Sequence, residues 1–201
     1  FSLDNGLAET KHVFLKGNGL PARFRDGFSI AELGFGTGLN FLTTVLSWRE
    51  HKCCGPLRFT SFEAFALQPD DMTRALLAFE ELQDIANEFA PLWSGLLTNG
   101  KIIPPDVELT LIQGDARSQV PNWNSFADCW YFDGFSPAKN PELWGGDILQ
   151  SVYDHTHPKG IFATYTAAGF VRQNLQIAGF EVSRIGGFGR KRHMTHGYKS
   201  A

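Results

Sequence analysis

The sequence predicts an α/β fold, with a mostly parallel sheet and helices on both faces. Three observations carry that prediction. Apolar segments of strand length alternate with longer segments of helical periodicity, the first strand runs into a turn of alternate glycines that opens a helix, and an acid stands at or just beyond the end of three later strands. In chain order, residues 12–25 hold two short apolar pieces around Gly17-Asn18-Gly19, which suits a hairpin or loop ahead of the sheet. Strands are then predicted over 28–33, 57–63, 107–113, 127–132, 160–165 and 180–185, with helices over 39–50, 69–90, 145–155 and 167–178. The stretch 91–106, with its prolines and with Gly95 and Gly100, reads as a long irregular connection. Alternation of this kind implies right-handed crossovers between parallel strands.

At 201 residues the chain fits one domain, and 43% hydrophobic content with eighteen Phe supports a real core. No apolar run approaches the ~20 residues needed to cross a bilayer, and no basic segment followed by an apolar one opens the chain, so a soluble, cytoplasmic protein is expected. Cys53-Cys54 and the lone Cys129 fit neither a disulfide framework nor a zinc spacing, and are expected to be reduced bystanders with no metal bound. A start at Phe1 rather than Met is expected of a piece of a longer protein. The net charge of −3 argues against a general nucleic-acid binder but hides an asymmetry. From residue 172 onward, six bases (Arg172, Arg184, Arg190, Lys191, Arg192, Lys199) face one acid, Glu181. That segment carries +5, and the preceding 171 residues carry −8. A basic patch on an acidic body suits contact with phosphate at one edge; a solvated basic tail is the alternative.

Glycine tolerates positive φ and lets backbone approach a ligand, so strand 28–33, the turn Gly34-Phe35-Gly36-Thr37-Gly38 and the helix start at Leu39-Asn40 form a cradle for a nucleotide-type cofactor. A dinucleotide fingerprint starting at Gly34 would place its third glycine at Leu39, yet the glycine is Gly38, which points away from NAD or FAD. Glu32, two residues before Gly34, followed by G-x-G-x-G resembles the first motif of class I S-adenosylmethionine-dependent methyltransferases; a glycine turn without a ligand is the bland alternative.

Ligands of open α/β sheets lie beyond the carboxyl ends of strands. Glu63 ends the second strand at the distance where a ribose-binding acid belongs, or caps the helix that follows. Asp115, after Gly114 and before Ala116, would accept from an adenine amino group or form an Asx turn. Asp133 ends the apolar strand Cys129-Trp130-Tyr131-Phe132 and precedes Gly134-Phe135-Ser136-Pro137, so it is the candidate for catalysis. The arrangement resembles the D/N-P-P-aromatic element of amino-group methyltransferases, by which Phe135 would stack on a base; core packing is its alternative.

With Asp-Gly-Phe-Ser-Pro-Ala-Lys-Asn-Pro-Glu-Leu-Trp (133–144) in view, the chain resembles the tRNA 5-aminomethyl-2-thiouridine methyltransferase family, the methyltransferase part of MnmC-type enzymes. Residues 6–10 with 14–21, the glycine loop 32–41, and residues 162–172 with 187–194 agree, so the resemblance covers essentially the whole chain. It implies a single Rossmann-like class I methyltransferase domain over 1–201, with an N-terminal hairpin or extension at 1–27 and a core at 28–201. A last strand near 193–199, antiparallel, would complete a seven-stranded sheet. It further implies S-adenosyl-L-methionine as cofactor, bound by Glu32, Gly34, Phe35, Gly36, Thr37, Gly38, Asn40, Glu63, Asp115, Ala116 and Asp133. The expected reaction is methylation of the primary amine of 5-aminomethyl-(2-thio)uridine at the tRNA wobble position. Asp133 would be catalytic, and Arg172, Arg190, Lys191 and Arg192 would meet tRNA phosphate. Lys139 and Asn140 would touch substrate or shape their loop. A fused or separate FAD-dependent oxidase is an expected partner, and no membrane is. The other readings are a methyltransferase for a different amine and, less favoured, a non-catalytic RNA-binding module.

Overall fold

Residues 6–53, 55–133 and 136–201 are described by a computed structural model of the chain. Phe135 and Cys54, named above, lie outside the described residues.

The N-terminal segment is helical rather than a hairpin. Helix α1 (Gly6–Thr10) widens into a π turn over Lys11–Leu15 and tightens into a 3₁₀ turn over Lys16–Asn18. The apolar pieces read as hairpin arms instead supply consecutive buried side chains, Val13, Phe14 and Leu15, with the Phe14 ring 5.2 Å from that of Tyr131. Strand β1 (Ser29–Leu33) is buried at all five positions, as expected of a strand covered on both faces. Helix α2 (Leu39–His51) follows the glycine turn, then β2 (Leu57–Glu63).

The helix predicted over 69–90 is two helices, α3 (Pro69–Leu77) and α4 (Gln83–Phe89). Phe79 leaves helical backbone (φ −101°, ψ 112°), and Phe79 and Leu82 are both buried at the break. No glycine or proline marks this break; core packing makes it. The stretch predicted irregular over 91–106 contains α5 (Trp93–Asn99), whose Trp93 is fully buried, and the two-residue strand β3 (Lys101–Ile102). Pro91 sits in the first turn of the 3₁₀ segment before α5, where its missing N–H costs nothing.

The remaining elements are β4 (Val107–Gln113), α6 (Ala116–Gln119), β5 (Ala127–Phe132), α7 (Gly146–Asp154), β6 (Thr156–Thr164), α8 (Gly169–Ala178), β7 (Glu181–Gly186) and β8 (His193–Tyr198). The sheet has eight strands among the described residues, in the order β3-β4-β2-β1-β5-β6-β8-β7. The strands β4, β2, β1, β5 and β6 run parallel, and β8 is antiparallel to both β6 and β7, as expected for the last strand. The strand beyond the expected seven is β3, antiparallel on the edge of β4. Successive residues of β5 serve opposite layers. Cys129 and Tyr131 face one apolar cluster with Phe41, Phe59 and Leu109, while Trp130 and Phe132 face the other with Trp144, Phe162 and Val171. From β1 the chain builds outward through β2 to β4 and then returns to the far side of β1 as β5, so strand order reverses between β1 and β5. That reversal places the carboxyl ends of β1 and β5 side by side, where ligands of such sheets bind.

Candidate active site

A cavity of about 1180 Å³ opens beyond those strand ends. Pockets for one small molecule occupy about 300–1,000 Å³, so there is room for a cofactor and a second reactant. Gly34, Phe35, Gly36, Thr37 and Asn40 line one wall. Gly36 has φ +54°, and a Cβ built there meets nothing within 4 Å, so its backbone faces open space. Gly38 is different: at φ +83°, a Cβ would lie 3.2 Å from Phe35 Cζ, and its N–H closes the turn on Phe35 O at 2.9 Å. Gly38 therefore shapes the loop and is absent from the cavity lining.

Asn40 joins the two acids of the central strands. Its Nδ2 donates to Glu32 Oε1 and to Asp133 Oδ2, both at 2.8 Å, while its Oδ1 accepts from Thr10 Oγ1 at 2.9 Å. Glu32 Oε2 accepts from Ser61 Oγ at 2.8 Å. Glu32 is fully buried and is absent from the lining; it lies beneath the loop as an anchor rather than at its surface. Burial above all, then the charges of Asp133 and Glu63, pushes its carboxyl well above the ordinary value against the two hydrogen bonds. Asp133, half-buried, lines the cavity, and its N–H donates to Leu33 O at 3.2 Å, which pins the end of β5 to the end of β1.

Glu63 lines the cavity at the end of β2. Its Oε2 accepts from Gly36 N–H at 3.0 Å and its Oε1 from Phe65 N–H at 2.8 Å, so the glycine loop and the β2 end are held at a fixed spacing. Asp115 takes the local role left open by its sequence: it N-caps α6 by accepting from Arg117 N–H at 2.9 Å. It also receives the Arg117 guanidinium, with Nε 2.9 Å from Oδ2 and Nη2 2.5 Å from the same oxygen, and this partner holds its carboxyl below the ordinary range. Asp115, Ala116 and Arg117 all line the cavity.

Glu9, Tyr165 and Lys191, which contact one another, also line the cavity, as do Lys139 and Asn140. Lys191 Nζ lies 2.7 Å from Glu9 Oε1 and 4.2 Å from the centroid of the Tyr165 ring. Burial first, then the charges of Asp133 and Glu9, pushes the Tyr165 phenol up to about 12. Lys139 and Asn140 each donate a backbone N–H to Ser136 O at 2.9 Å, forming the turn that carries them past Asp133. The basic residues grouped by sequence separate here. Arg190 and Arg192 are exposed in the loop between β7 and β8 and do not line the cavity. Arg172 sits on α8, outside the cavity, with its Nε buried and without a partner among the described residues.

Residues 80–200 match the S-adenosyl-L-methionine-dependent methyltransferase family. The chain belongs to that family. It is 41% identical over 211 residues to the tRNA 5-methylaminomethyl-2-thiouridine biosynthesis bifunctional protein MnmC of Methylobacillus flagellatus, and 39% identical over 205 residues to the protein of the same name from Leptospira interrogans. Each match takes in 98% of this chain and 32% of the relative, so the chain spans about a third of the length of these curated relatives. The crystal structure of MnmC2 from Aquifex aeolicus has the same fold, with a TM-score of 0.76 at 24% identity over 97% of this chain and 61% of that one.

The site of this methyltransferase suits the cofactor of its family. The open backbone at Gly36 can be approached closely, and Thr37 Oγ1 is a buried hydroxyl without a hydrogen-bond partner among the described residues. The carboxylate of Glu63 lines the same cavity. Among the described residues no cluster of three or more His, Cys, Asp or Glu is placed to hold a metal ion, and no helix is long and apolar enough to cross a membrane.

Several site residues were given no role from the sequence. Thr10 and Glu9 sit in a stretch read as a hairpin or extension, so nothing placed them against the glycine loop. Ser61 stood in plain view two residues before Glu63, and strand alternation was the available signal that both point the same way. Tyr165, within the 162–172 block that carries the resemblance, and Arg117, near a strand end, were given no role.

Proposed function

We propose that this chain transfers a methyl group from S-adenosyl-L-methionine to the primary amine of 5-aminomethyl-(2-thio)uridine at the tRNA wobble position. It would act in the cytoplasm as the methyltransferase part of a protein paired with an FAD-dependent oxidase, fused or separate. The observation that carries this reading is Asp133, clamped by Asn40 in the cavity that the glycine loop lines together with Glu9, Tyr165 and Lys191. The names of the relatives matching 98% of the chain supply the substrate class.

In this reading Gly34, Gly36 and Thr37 hold the methionine end of the cofactor, Glu63 accepts from the ribose hydroxyls, and Asp115 with Ala116 borders the adenine. When bound, the cofactor supplies an electrophilic methyl on a sulfonium, which leaves as a neutral thioether. The chain's own task is to present a nitrogen lone pair. An alkylamine with a reference pKa near ~10.4 costs about 4–5 kcal/mol to deprotonate at pH 7. Asp133 does not lower that cost by its charge, because a neighbouring carboxylate favours the ammonium. It accepts a hydrogen bond or a proton from the amine and aims the lone pair at the methyl carbon. Asn40 on Oδ2 fixes the plane of that carboxylate. Lys139, on the cavity wall, disfavours the ammonium. Alignment of the reacting atoms is worth up to ~7–11 kcal/mol in favourable cases.

The test is tritium transfer from methyl-labelled cofactor to total tRNA, followed by nucleoside separation. Label in 5-methylaminomethyl-(2-thio)uridine supports the reading; label confined to other nucleosides or to small amines contradicts it.

A further inference from the structure

The Glu9–Lys191 pair joins residues 182 positions apart in sequence at the cavity wall. A half-exposed ion pair of this kind adds little to stability. The two chain segments are also docked by other contacts, His12 Nε2 at 3.2 Å from Gly186 O and the His12 ring at 5.7 Å from Phe188. What the pair does provide is a hydrogen-bond donor and an acceptor 2.7 Å apart, lining the same cavity as Asp133.

Uracil carries the complementary pattern. Going round the ring from the 5-aminomethyl group, the next polar atoms are O4, an acceptor, and N3–H, a donor. We infer that Lys191 and Glu9 read this edge: Lys191 Nζ donates to O4 and the Glu9 carboxylate accepts from N3–H, with the aminomethyl group reaching Asp133. Tyr165 lies close enough to feel the charges of both Asp133 and Glu9 and has Lys191 over its ring, so it forms the wall along which these groups are ordered. Cytosine reverses both partners. Its amino group would meet the Lys191 ammonium and its bare N3 would meet the Glu9 carboxylate, leaving two mismatched polar pairs. The inference rests on the aminomethyluridine reading above and extends it from the reacting amine to the base.

The experiment compares two anticodon stem-loop RNAs that differ only in carrying 5-aminomethyluridine or 5-aminomethylcytidine. Methyl transfer is measured with the wild-type chain, Glu9→Ala, Glu9→Asp and Lys191→Met, and affinity for S-adenosylhomocysteine is measured by calorimetry for each. The expected wild-type preference for uridine is about 10- to 100-fold in kcat/KM, the range of a good bidentate base contact. Glu9→Ala and Lys191→Met bring the ratio toward unity with cofactor-product affinity retained, and Glu9→Asp recovers part of it. A preference kept in both Glu9→Ala and Lys191→Met, or an equal loss on both RNAs, overturns the inference. A wild-type chain that methylates both RNAs alike overturns it while leaving the aminomethyl reading standing. One that binds S-adenosylhomocysteine but methylates neither overturns both.

Discussion

The Nδ2 of Asn40 lies 2.8 Å from Oδ2 of Asp133 and, through its second hydrogen, 2.8 Å from Oε1 of Glu32. One amide at the start of α2 thus spaces two carboxyl groups, one buried and structural, the other at the cavity. Asn40→Ala leaves the buried Glu32 short of a donor, which should cost about 1–3 kcal/mol of stability. It also frees the Asp133 carboxylate to turn, and a misplacement on that scale should lower kcat by about 10²-fold. Denaturant unfolding and single-turnover kinetics check the two effects; a variant as active and as stable as wild type contradicts the clamp.

Glu32 should make stability depend on pH in a recognisable direction. Its folded-state pKa is raised above the ordinary 4.5, so the folded protein keeps a proton that the unfolded chain gives up. The stabilisation is fully present below pH ~4.5 and is lost as pH rises through the folded value. Glu32→Gln keeps an acceptor for Asn40 and removes the titration. Unfolding free energies compared between pH 5 and pH 8 should fall more for wild type than for Glu32→Gln; parallel profiles would contradict the buried-carboxyl account.

At Gly36 the left-handed backbone strains any side chain, by roughly 1–2 kcal/mol, although the space around it is open. Gly36→Ala should therefore fold with a modest loss of stability and bind S-adenosylhomocysteine more weakly, because the added methyl projects where the backbone is approached. Calorimetry decides it. Unchanged affinity would move the cofactor away from this loop.

Arg190 and Arg192 are exposed beside the cavity residue Lys191. Replacing both by Gln should weaken tRNA binding and reduce the log–log salt slope by about 0.7–0.9 per lost phosphate contact, without altering cofactor affinity. Arg172, on α8 and partly buried, should contribute less. A double variant with the wild-type slope would place the phosphate contacts elsewhere.

The parallel core was legible because β2, β4 and β5 are rich in apolar residues, though broken by Arg58, Glu108 and Asp128, and end at an acid or at a glycine-acid turn, and the glycine loop was legible because Gly36 and Gly38 have backbone needs only glycine meets freely. The break at Phe79 was not legible, since nothing local disfavours helix there and only core packing draws the ring inward. The same holds for α5, where Pro91 just before it and Gly95 within it read as loop while Trp93 packs against Phe35, Phe41 and Phe89. In the site, strand ends announced Glu63, Asp115 and Asp133. The partners that hold them, Asn40 across 93 residues and Thr10 on a five-residue helix, are visible only once the chain is folded. Glu32, the motif acid expected to bind cofactor, is buried beneath the loop on Asn40 and the Ser61 hydroxyl, partners its sequence position does not announce.

The most direct test of the central claim is nucleoside mass spectrometry of tRNA bearing the 5-aminomethyl precursor, incubated with S-adenosyl-L-methionine and either the wild-type chain or Asp133→Ala. The account predicts conversion to the species one methyl heavier with wild type, and none with Asp133→Ala although that variant still binds S-adenosylhomocysteine. Equal conversion by both proteins would remove Asp133 from the chemistry, and no conversion by a cofactor-binding wild type would contradict the assigned substrate.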